Sequence, residues 1–483
     1  MKIYRSAELV RLGRHIPTPY LLEIYDKNSL EIIEVREILR VVPKRRLVAK
    51  AKWRNNSVII KLFFSPNHWK RNLSREILGI NLLIQRNLRT PAILHESQIA
   101  GGGGAALILQ YINGGRTINE CLDGARTKSE RQHWLSLAIG SIAACHRQGL
   151  WQADIHMSNF LESDNKVFFL DGGNIRESEK PLPDELASKN LALFFAQFTV
   201  DQDENIKPLL KEYQLENTNL RTKNLNDMFV EVKQARTQRI SNYERKLLRS
   251  TTAHRSVRSL DKFAVYDREI DSSTLENLIS DPNFYIQKER LLKDGNSATV
   301  AEFLFEDKRY VVKRYNLNTL WQRVKYLFKM SRAARCWRSA SILRMLGVHT
   351  PKPFMFIENR WFWFLRSKSY FVSEKIEAVN LLEYIKSKGL RQNELEEIII
   401  SFRLLFKIMI DYKISHGDMK ASNFLYWNNK VVVLDLDGMR RHQSQKVFKK
   451  AIKKDFDRFL KNWKGTEYEQ PFGNIVNELE ISF

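Results

Sequence analysis

Apolar residues recur at helical spacing in two distant parts of the chain, and each stretch leads into a polar loop. The stronger pattern consists of Leu395, Ile398, Ile399, Phe402, Leu405, Phe406 and Met409. This spacing predicts a helix with one buried face, and Asn393 with Glu396 predicts a capping box at its start. The weaker pattern follows a predicted cap at Thr127 and Glu130, and consists of Trp134, Ala138, Ser141, Ile142 and Cys145.

Short β-branched and aromatic runs follow both loops. Residues 167–170 and 431–434 are each entered by a polar turn, which predicts two buried strands. Further upstream, each half has another apolar strand that carries one lysine, Lys61 in VIIKLF and Lys313 in YVVKRY. The order of lysine strand, helix, polar loop and second strand is therefore predicted twice.

The chain also repeats itself in sequence. Residues 149–176 and 413–440 align without a gap at an offset of 264 positions, so that Asp154 corresponds to Asp418 and Asp171 to Asp435. Because the two copies lie hundreds of residues apart, they indicate a duplicated functional unit and not a solenoid repeat.

A polar, basic stretch separates the two copies. A chain of 483 residues suits two or three domains, and Tyr243, Leu247 and Leu248 keep helical spacing within residues 236–260. We therefore predict a first domain at residues 1–235, a helical linker at 236–260 and a second domain at 261–483. The mixture of helices and strands predicts an α+β fold class.

Composition narrows the choice of partners and compartment. A formal net charge of +24 favours polyanions such as nucleic acid, anionic lipid head groups or phosphorylated saccharide. Three scattered cysteines disfavour a disulfide framework or a zinc site, and suit a reducing cytoplasm. The sequence shows neither a signal-peptide pattern nor an apolar stretch long enough to span a bilayer.

The polar loop of the second half carries the residue types that phosphoryl transfer needs. Asp418 precedes Asn423 by five residues, with Lys420 between them. A carboxylate at this spacing accepts the proton of an attacking hydroxyl, while the asparagine holds a metal. Asp435 ends the next strand, and its oxygens are ligands that Mg²⁺ prefers. We predict Asp418 and Lys420 to be catalytic, and Asn423 and Asp435 to bind magnesium.

Two further residues of the second half are predicted to bind the phosphates of ATP. Lys313 would neutralise the α- and β-phosphates. Gly295 lies in the preceding segment 292–300, which resembles a phosphate-covering hairpin.

The first half repeats this set of residues. Lys61 and Glu76 are predicted to form a phosphate-binding pair, Asp154 to be catalytic, and Asn159 and Asp171 to bind metal. One Asp–Asn spacing arises easily by chance, but a matched set in the same order, found twice, strongly favours nucleotide chemistry.

The motifs that carry this chemistry resemble a known family. HGDMKASNFL with VVVLDLDG, and QADIHMSNFL with VFFLDGG, are similar to the active-site loops of bacterial lipopolysaccharide kinases of the Kdo/WaaP type, relatives of protein and aminoglycoside kinases. Residues 331–353 resemble that family's first helix and the strand entry after it. The resemblance implies two tandem bilobal protein-kinase-like domains, each with a small antiparallel-sheet N-lobe and a mainly helical C-lobe.

The resemblance also implies an activity and a location. ATP, with Mg²⁺, would phosphorylate a heptose or Kdo hydroxyl of the lipopolysaccharide core or a lipid A precursor. The protein would be cytoplasmic and peripheral at the inner face of a Gram-negative cytoplasmic membrane, without a nucleic-acid partner. The basic stretch 319–338, with Arg332, Arg335 and Arg338, is interpreted either as an ordinary helix or as a docking surface for anionic lipid.

The two halves depart from the kinase pattern in different ways. No glycine precedes Lys61 closely, and Gln152 stands where the second half has His416. No acidic residue lies between positions 309 and 357, which leaves Lys313 without a helix carboxylate. We expect the second unit to be the main catalyst and the first to be a poor catalyst that still binds nucleotide.

Two alternatives remain open at this stage. A non-catalytic tandem pseudokinase that scaffolds envelope assembly would bind nucleotide without turnover. A small-molecule kinase of the aminoglycoside type is disfavoured by the positive charge, because such pockets are usually acidic.

Overall fold

The computed structural model describes residues 1–26, 29–64, 67–217, 224–270, 273–288, 291–316, 329–361 and 365–480. Helices and strands are mixed along the chain, in agreement with the predicted α+β class. The chain divides into two compact units, residues 1–197 with 203–232, and residues 198–202 with 233–483.

The first unit contains a six-stranded sheet followed by mainly helical structure. Its strands are β1 Tyr20–Asp26, β2 Ser29–Val42, β3 Arg46–Trp53, β4 Asn56–Phe63, β5 Ile93–Gln98, β6 Ala105–Gln110, β7 Arg116–Thr117, β8 Leu150–Gln152, β9 Phe160–Ser163, β10 Lys166–Phe169 and β11 Ile175–Glu177. Its helices are α1 Ser6–Leu12, α2 Trp69–Gln85, α3 Ile118–Gly124, α4 Lys128–Arg147, α5 Asp184–Phe195 and α6 Ile206–Glu216. Helix α7, Leu225–Lys246, contains the division between the units.

The second unit begins with a seven-stranded sheet and continues with further helices. Its strands are β12 His254–Arg258, β13 Lys262–Asp267, β14 Leu291–Asp294, β15 Ala298–Phe305, β16 Lys308–Tyr315, β17 Pro353–Trp361, β18 Leu365–Glu374, β19 Ile414–Ser415, β20 Phe424–Trp427, β21 Lys430–Val433 and β22 Arg440–Arg441. Its helices are α8 Ser273–Ser280, α9 Pro282–Lys288, α10 Arg332–Leu346, α11 Leu381–Lys388, α12 Gln392–Asp411, α13 Gln445–Lys461 and α14 Glu469–Glu480.

Five strands follow the same order in both sheets. The first sheet has the order β1-β2-β3-β4-β6-β5, and the second has β12-β13-β17-β18-β16-β15-β14. The run β2-β3-β4-β6-β5 therefore matches β14-β15-β16-β18-β17, and all of these pairs are antiparallel. The lysine strands β4 and β16 hold the same central place.

Alternating burial places one face of each sheet in a core. Strand β3 alternates between buried and partly exposed residues along its whole length, as expected when one face of a sheet is covered. Below the second sheet, the predicted helix is confirmed as α12, with Ile398, Phe402, Leu405, Phe406 and Met409 buried. These side chains join a large core that also contains Phe424 and Phe459.

The predicted strands after both loops are confirmed as β10 and β21, and each forms a hairpin with the strand before it. Strands β9 and β10 pair across Asp164 and Asn165, and β20 and β21 pair across Asn428 and Asn429. All four turn residues have positive φ, as two-residue turns between twisted strands require. The strands start one residue earlier than predicted.

Two local predictions are wrong. The predicted linker 236–260 is helical only to Lys246, and residues 254–258 form edge strand β12 of the second sheet. The apolar strand β13 supplies its partner, and an edge strand tolerates a polar sequence. Helix α12 starts at Gln392, where Glu394 accepts a hydrogen bond from the Arg391 backbone N–H at 3.0 Å. The predicted cap at Thr127 is confirmed.

Candidate active site

The loop after strand β19 is held in place by helix α13. The backbone N–H groups of His416 and Gly417 donate to the Asp455 carboxylate at 2.7 and 2.9 Å. Just past the end of this helix, Asn462 Nδ2 donates to the carbonyl of Met419 at 2.8 Å. The backbone on either side of the predicted catalytic aspartate is therefore fixed before any ligand binds.

Within this loop, three of the predicted site residues lie together. Asn423 Nδ2 donates to the main-chain oxygen of Asp418 at 2.9 Å and to its Oδ2 at 3.3 Å. Lys420 Nζ lies 2.8 Å from the same Oδ2. The Asp418 side chain keeps 36% of its surface exposed, so an acceptor hydroxyl can reach it.

Asp435 meets the lysine of the central strand. It adopts the left-handed backbone conformation with φ 52°, and its Oδ1 accepts a hydrogen bond from Lys313 Nζ at 2.5 Å. Burial disfavours the charged form of Asp435, but the attraction and hydrogen bond from Lys313 outweigh it and lower the pKa of this carboxyl. His416 Nε2 donates to the carbonyl of Leu434 at 3.0 Å, which ties the loop to this segment.

Asp437, two residues on, takes the carboxylate position near Lys313 that no helix residue fills. Its Oδ2 lies 4.0 Å from Lys313 Nζ. From helix α10, Arg332 Nε donates to the same oxygen at 2.8 Å, and Arg335 donates to the main-chain oxygen of Asp437 at 2.7 Å. The helix thus supplies cations and the loop supplies the acid.

The predicted hairpin before the lysine strand is present. Strands β14 and β15 pair antiparallel, and Gly295 N–H donates to the Ala298 carbonyl at 3.1 Å across the turn. Val300 lies opposite Lys313 in the β15–β16 register. The hairpin therefore continues the sheet next to the lysine strand.

The corresponding loop of the first unit keeps the same hydrogen-bond pattern. Asn159 Nδ2 donates to the main-chain oxygen of Asp154 at 2.9 Å. Gln152 Nε2 donates to the carbonyl of Leu170 at 2.7 Å, which is the bond that His416 makes in the second unit. The departure from histidine at Gln152 therefore preserves the tether, and Asp154 is exposed.

A neutral network anchors this loop from below. Asn190 Nδ2 donates to the main-chain oxygen of Gln152 at 2.9 Å, and its Oδ1 accepts from His146 Nε2 at 3.1 Å. His146 Nδ1 faces the Tyr213 hydroxyl at 2.8 Å. Burial lowers the pKa of His146 to about 4, so this imidazole is neutral at physiological pH.

Lys61 and Glu76 form a buried ion pair, as the sequence predicts. The Glu76 carboxylate also accepts the backbone N–H groups of Gly172 and Gly173 at 3.1 and 3.2 Å. A Cβ atom at Gly79 would lie 1.8 Å from the Gly172 carbonyl oxygen, so the close approach of helix α2 to this loop requires glycine.

Arg46 enters the same group from strand β3. Its guanidinium lies 3.2 Å from Asp171 Oδ1 and 3.8 Å from Glu76 Oε2. Asn174 Nδ2 donates to the other oxygen, Asp171 Oδ2, at 3.0 Å. Burial raises the pKa of Asp171, but Lys61 and Arg46 more than offset this and lower it.

An open cleft of 480 Å³ lies over these residues in the first unit. Its polar lining residues include Lys61, Glu76, Asn159 and Asp171. Its apolar lining residues include Val48, Ile59, Ile80, Leu109, Ile112, Leu161 and Phe169. The size and this mixed lining suit a ligand that has both an apolar part and a charged part.

The donor set for magnesium differs between the two units. Among the described residues, no group of three or more His, Cys, Asp or Glu side chains could hold a metal ion. Asp435 and Asn423 offer hard oxygens, and the hydrogen bonds of Asn423 use its nitrogen. This suits Mg²⁺, which takes its other ligands from phosphate and water. In the first unit, both oxygens of Asp171 are already bonded, which fits the ion poorly.

Arg332, Arg335 and Arg338, which the lipid-docking interpretation treats as a basic surface, have partners within the protein. The first two bond Asp437, as described, and Arg338 pairs with Glu244 at 3.2 Å. These ion pairs already engage the guanidinium groups. Residues 319–328 of the same basic stretch lie outside the described residues.

Sequence reasoning missed two residues of these sites. Asp455 has a visible signal, because it is an acidic residue within the apolar stripe of helix α13, formed by Phe448, Ile452, Phe456 and Phe459. Arg46 has none, because it reaches Asp171 across 125 positions of sequence.

Comparison with known proteins bears on the second unit. Residues 284–472 match the lipopolysaccharide kinase (Kdo/WaaP) family. A stretch of 113 residues is 26% identical to CBL-interacting serine/threonine-protein kinase 13 of Arabidopsis thaliana, covering 23% of this chain and 19% of that protein. The chain thus spans about a fifth of that relative's length. None of the helices in the described part of the chain is both long and apolar enough to cross a membrane. The matched segment contains Lys313, Asp418, Asn423 and Asp435, and the match supports the resemblance of the second unit to a family of kinases, the lipopolysaccharide kinase (Kdo/WaaP) family.

Proposed function

We propose that the second unit is an ATP-dependent kinase that phosphorylates a sugar hydroxyl, of heptose or Kdo, in the lipopolysaccharide core. One observation carries this proposal. The hydrogen-bonded residues Asp418 and Asn423, and the Lys313–Asp435 pair, all lie within the segment that matches the family.

The reaction follows from the side chains of this unit. The acceptor hydroxyl donates a hydrogen bond to the exposed Asp418 carboxylate, which takes the proton as the hydroxyl oxygen attacks the γ-phosphorus. The bond between that phosphorus and the β,γ-bridging oxygen breaks, and ADP leaves. Lys313 offsets phosphate charge, and Lys420 orients the Asp418 carboxylate.

Asn423 and Asp435 are the residues that would hold magnesium in this site. When bound, the ion neutralises charge on the phosphates. Lys313 would then exchange its bond to Asp435 for the phosphates, and its short distance to that carboxylate keeps it in position to do so.

Helix α13 supports an anionic acceptor at a membrane surface. The face opposite its buried stripe carries exposed lysines, namely Lys446, Lys449, Lys450, Lys453, Lys454 and Lys461. The same helix holds the catalytic loop through Asp455. The corresponding helix of the first unit, α5, carries one lysine, Lys189, which pairs with Glu185. We propose that these lysines hold phosphorylated core saccharide near the inner face of the cytoplasmic membrane, each contributing about 1 kcal/mol near an anionic surface.

The proposal is tested by incubating the full-length protein with γ-labelled ATP, magnesium and purified lipopolysaccharide. We expect label in the core saccharide after the lipid is removed by mild acid. Nucleotide binding without transfer to saccharide, protein or small alcohols would instead identify a scaffold.

A further inference from the structure

Arg46 occupies a position in the first unit where the second unit has a small residue. Val48 lies opposite Lys61 in one sheet, and Val300 lies opposite Lys313 in the other. Counting back two residues along each strand aligns Arg46 with Ala298. The first unit thus places a guanidinium at the position where the second unit has a buried alanine.

This guanidinium already neutralises the acid that would otherwise hold a metal. It lies 3.2 Å from Asp171 Oδ1, and Asn174 bonds the second oxygen. Its side chain is 24% exposed and lines the 480 Å³ cleft. The Nη1 atom of Arg46 therefore pairs with Asp171, while the rest of this partly exposed guanidinium group can contact a ligand in the cleft.

The covering turn of this unit is cationic instead of glycine-rich. Strands β2 and β3 are joined by a turn of sequence Pro-Lys-Arg, and Lys44 in it has φ 62°. Arg40 and Lys50, on the two flanking strands, also line the cleft. Phosphate can thus be met by cationic side chains, with arginine offering two parallel hydrogen bonds, where a glycine-rich turn offers backbone N–H groups.

We propose that the first unit binds a nucleoside di- or triphosphate without a divalent metal, and that Arg46 takes the place of the metal at Asp171. The phosphates contact Arg46 and Lys61, and the base lies against the apolar wall formed by Val48, Leu109 and Leu161. This inference rests on the nucleotide-binding role expected of the first unit, and it is independent of catalysis by the second.

Equilibrium binding of a fluorescent ATP analogue to the full-length protein tests this inference. The background is Lys313→Met with Asp435→Asn, which removes the phosphate lysine and metal ligand of the second unit. We expect about one nucleotide bound per chain in EDTA, with an affinity that magnesium changes by less than about threefold. Arg46→Gln should weaken metal-free binding about tenfold or more, because a hydrogen bond to a charged group is lost.

Two variants control for charge and folding. Arg36→Gln removes an exposed arginine of strand β2 that pairs with Glu34 at 3.1 Å, and it should bind as the background does. Arg46→Lys keeps the charge but loses the fork, so it should have intermediate affinity. Binding that requires magnesium, or equal metal-free affinity of the background, Arg46→Gln and Arg46→Lys proteins, would overturn the inference. Neither result would alter phosphate transfer by the wild-type second unit, which is measured separately.

Discussion

The two units hold their catalytic-type loops in the same geometry with different chemistry. In the second unit, the Asp455 carboxylate accepts the backbone N–H groups of His416 and Gly417. In the first, Asn190 bonds the carbonyl of Gln152 and is itself bonded by a neutral His146. Both units hold this loop by hydrogen bonds to its backbone, through an acidic side chain in the second unit and through an amide side chain in the first.

Their phosphate sites differ in the same way. In the first unit, Lys61 and Arg46 are balanced by Glu76 and Asp171, in an arrangement that is already paired. In the second, Lys313 is held by the same acid that is expected to bind metal. When nucleotide and magnesium bind, Lys313 is expected to move to the phosphates and Asp435 to the metal, so that their ion pair breaks. The two loops have similar hydrogen bonds, and we therefore base the expected difference in catalysis on the ion pairs that nucleotide and metal would have to replace in each unit.

A large difference in effect is expected between the two aspartates predicted to bind metal, Asp435 and Asp171. Asp435→Asn should lower magnesium-dependent phosphate transfer about 10²- to 10³-fold, as the loss of an electrostatic group in an active site does. Asp171→Asn should lower it by less than about fivefold. Steady-state kinetics of both variants checks this prediction. Equal losses of phosphate transfer in the two variants would contradict it, because both aspartates would then contribute equally to catalysis.

The next prediction concerns pH and the first unit. The ordinary pKa of His146 is 6.5 and its folded value is about 4, so burial favours the neutral form. The stability it contributes is present above pH 6.5 and is lost as pH falls from 6.5 towards 4, up to about 3 kcal/mol.

Hydrogen exchange of peptides from residues 135–217 as a function of pH measures this loss. The variant His146→Gln should flatten the pH dependence in that range, whereas His15→Gln, at an exposed position, should leave it unchanged. If the His146→Gln variant kept the pH dependence of the wild type, His146 would not be the group that stabilises this loop.

A smaller loss is expected from the anchor of the second unit. Asp455→Ala leaves the backbone N–H of His416 buried without an acceptor, which costs about 1–3 kcal/mol. The midpoint of thermal unfolding should fall by several degrees, and turnover should fall with it because the loop loses its support. Asp457→Ala, at an exposed position of the same helix, should do neither. Unchanged stability in Asp455→Ala would contradict the anchoring role.

The smallest predicted effect concerns the acceptor. Lys453→Gln should raise the KM for lipopolysaccharide about fivefold at low salt, which corresponds to about 1 kcal/mol near an anionic surface, and kcat should stay nearly constant. The effect should shrink as salt rises, because screening shortens the range of the charge. Lys189→Gln, on helix α5, is the matched control. If Lys453→Gln lowered kcat and left KM unchanged, Lys453 would support the loop and would not bind the acceptor.

Much of the local structure follows from sequence periodicity and turn chemistry. The lysine strands, helix α12 and, to within one residue, strands β10 and β21 lie where the pattern of apolar residues predicts them, because each buries apolar side chains. The Lys61–Glu76 pair was also predicted, since a strand lysine followed by a helix glutamate is a local pattern.

Features that depend on distant contacts were not predicted. Strand β12 forms because a neighbouring strand covers it, although its own sequence is polar. Arg332 and Arg335 resemble a free basic surface in sequence, yet Asp437, about a hundred positions away, accepts from both. The roles assigned to the site residues, and the proposed domain limits, remain predictions.

The central claim is that the second unit transfers phosphate to a core sugar while the first does not, and paired single variants test it most directly. The measurement is the initial rate of transfer from γ-labelled ATP to purified lipopolysaccharide core by Asp418→Asn and Asp154→Asn, with equal nucleotide and magnesium. Asp418→Asn should lose about 10²- to 10⁴-fold in rate, the usual contribution of a positioned base, and Asp154→Asn should stay within a few fold of wild type. Loss of transfer in Asp154→Asn, with a mild effect of Asp418→Asn, would contradict the account and assign catalysis to the first unit.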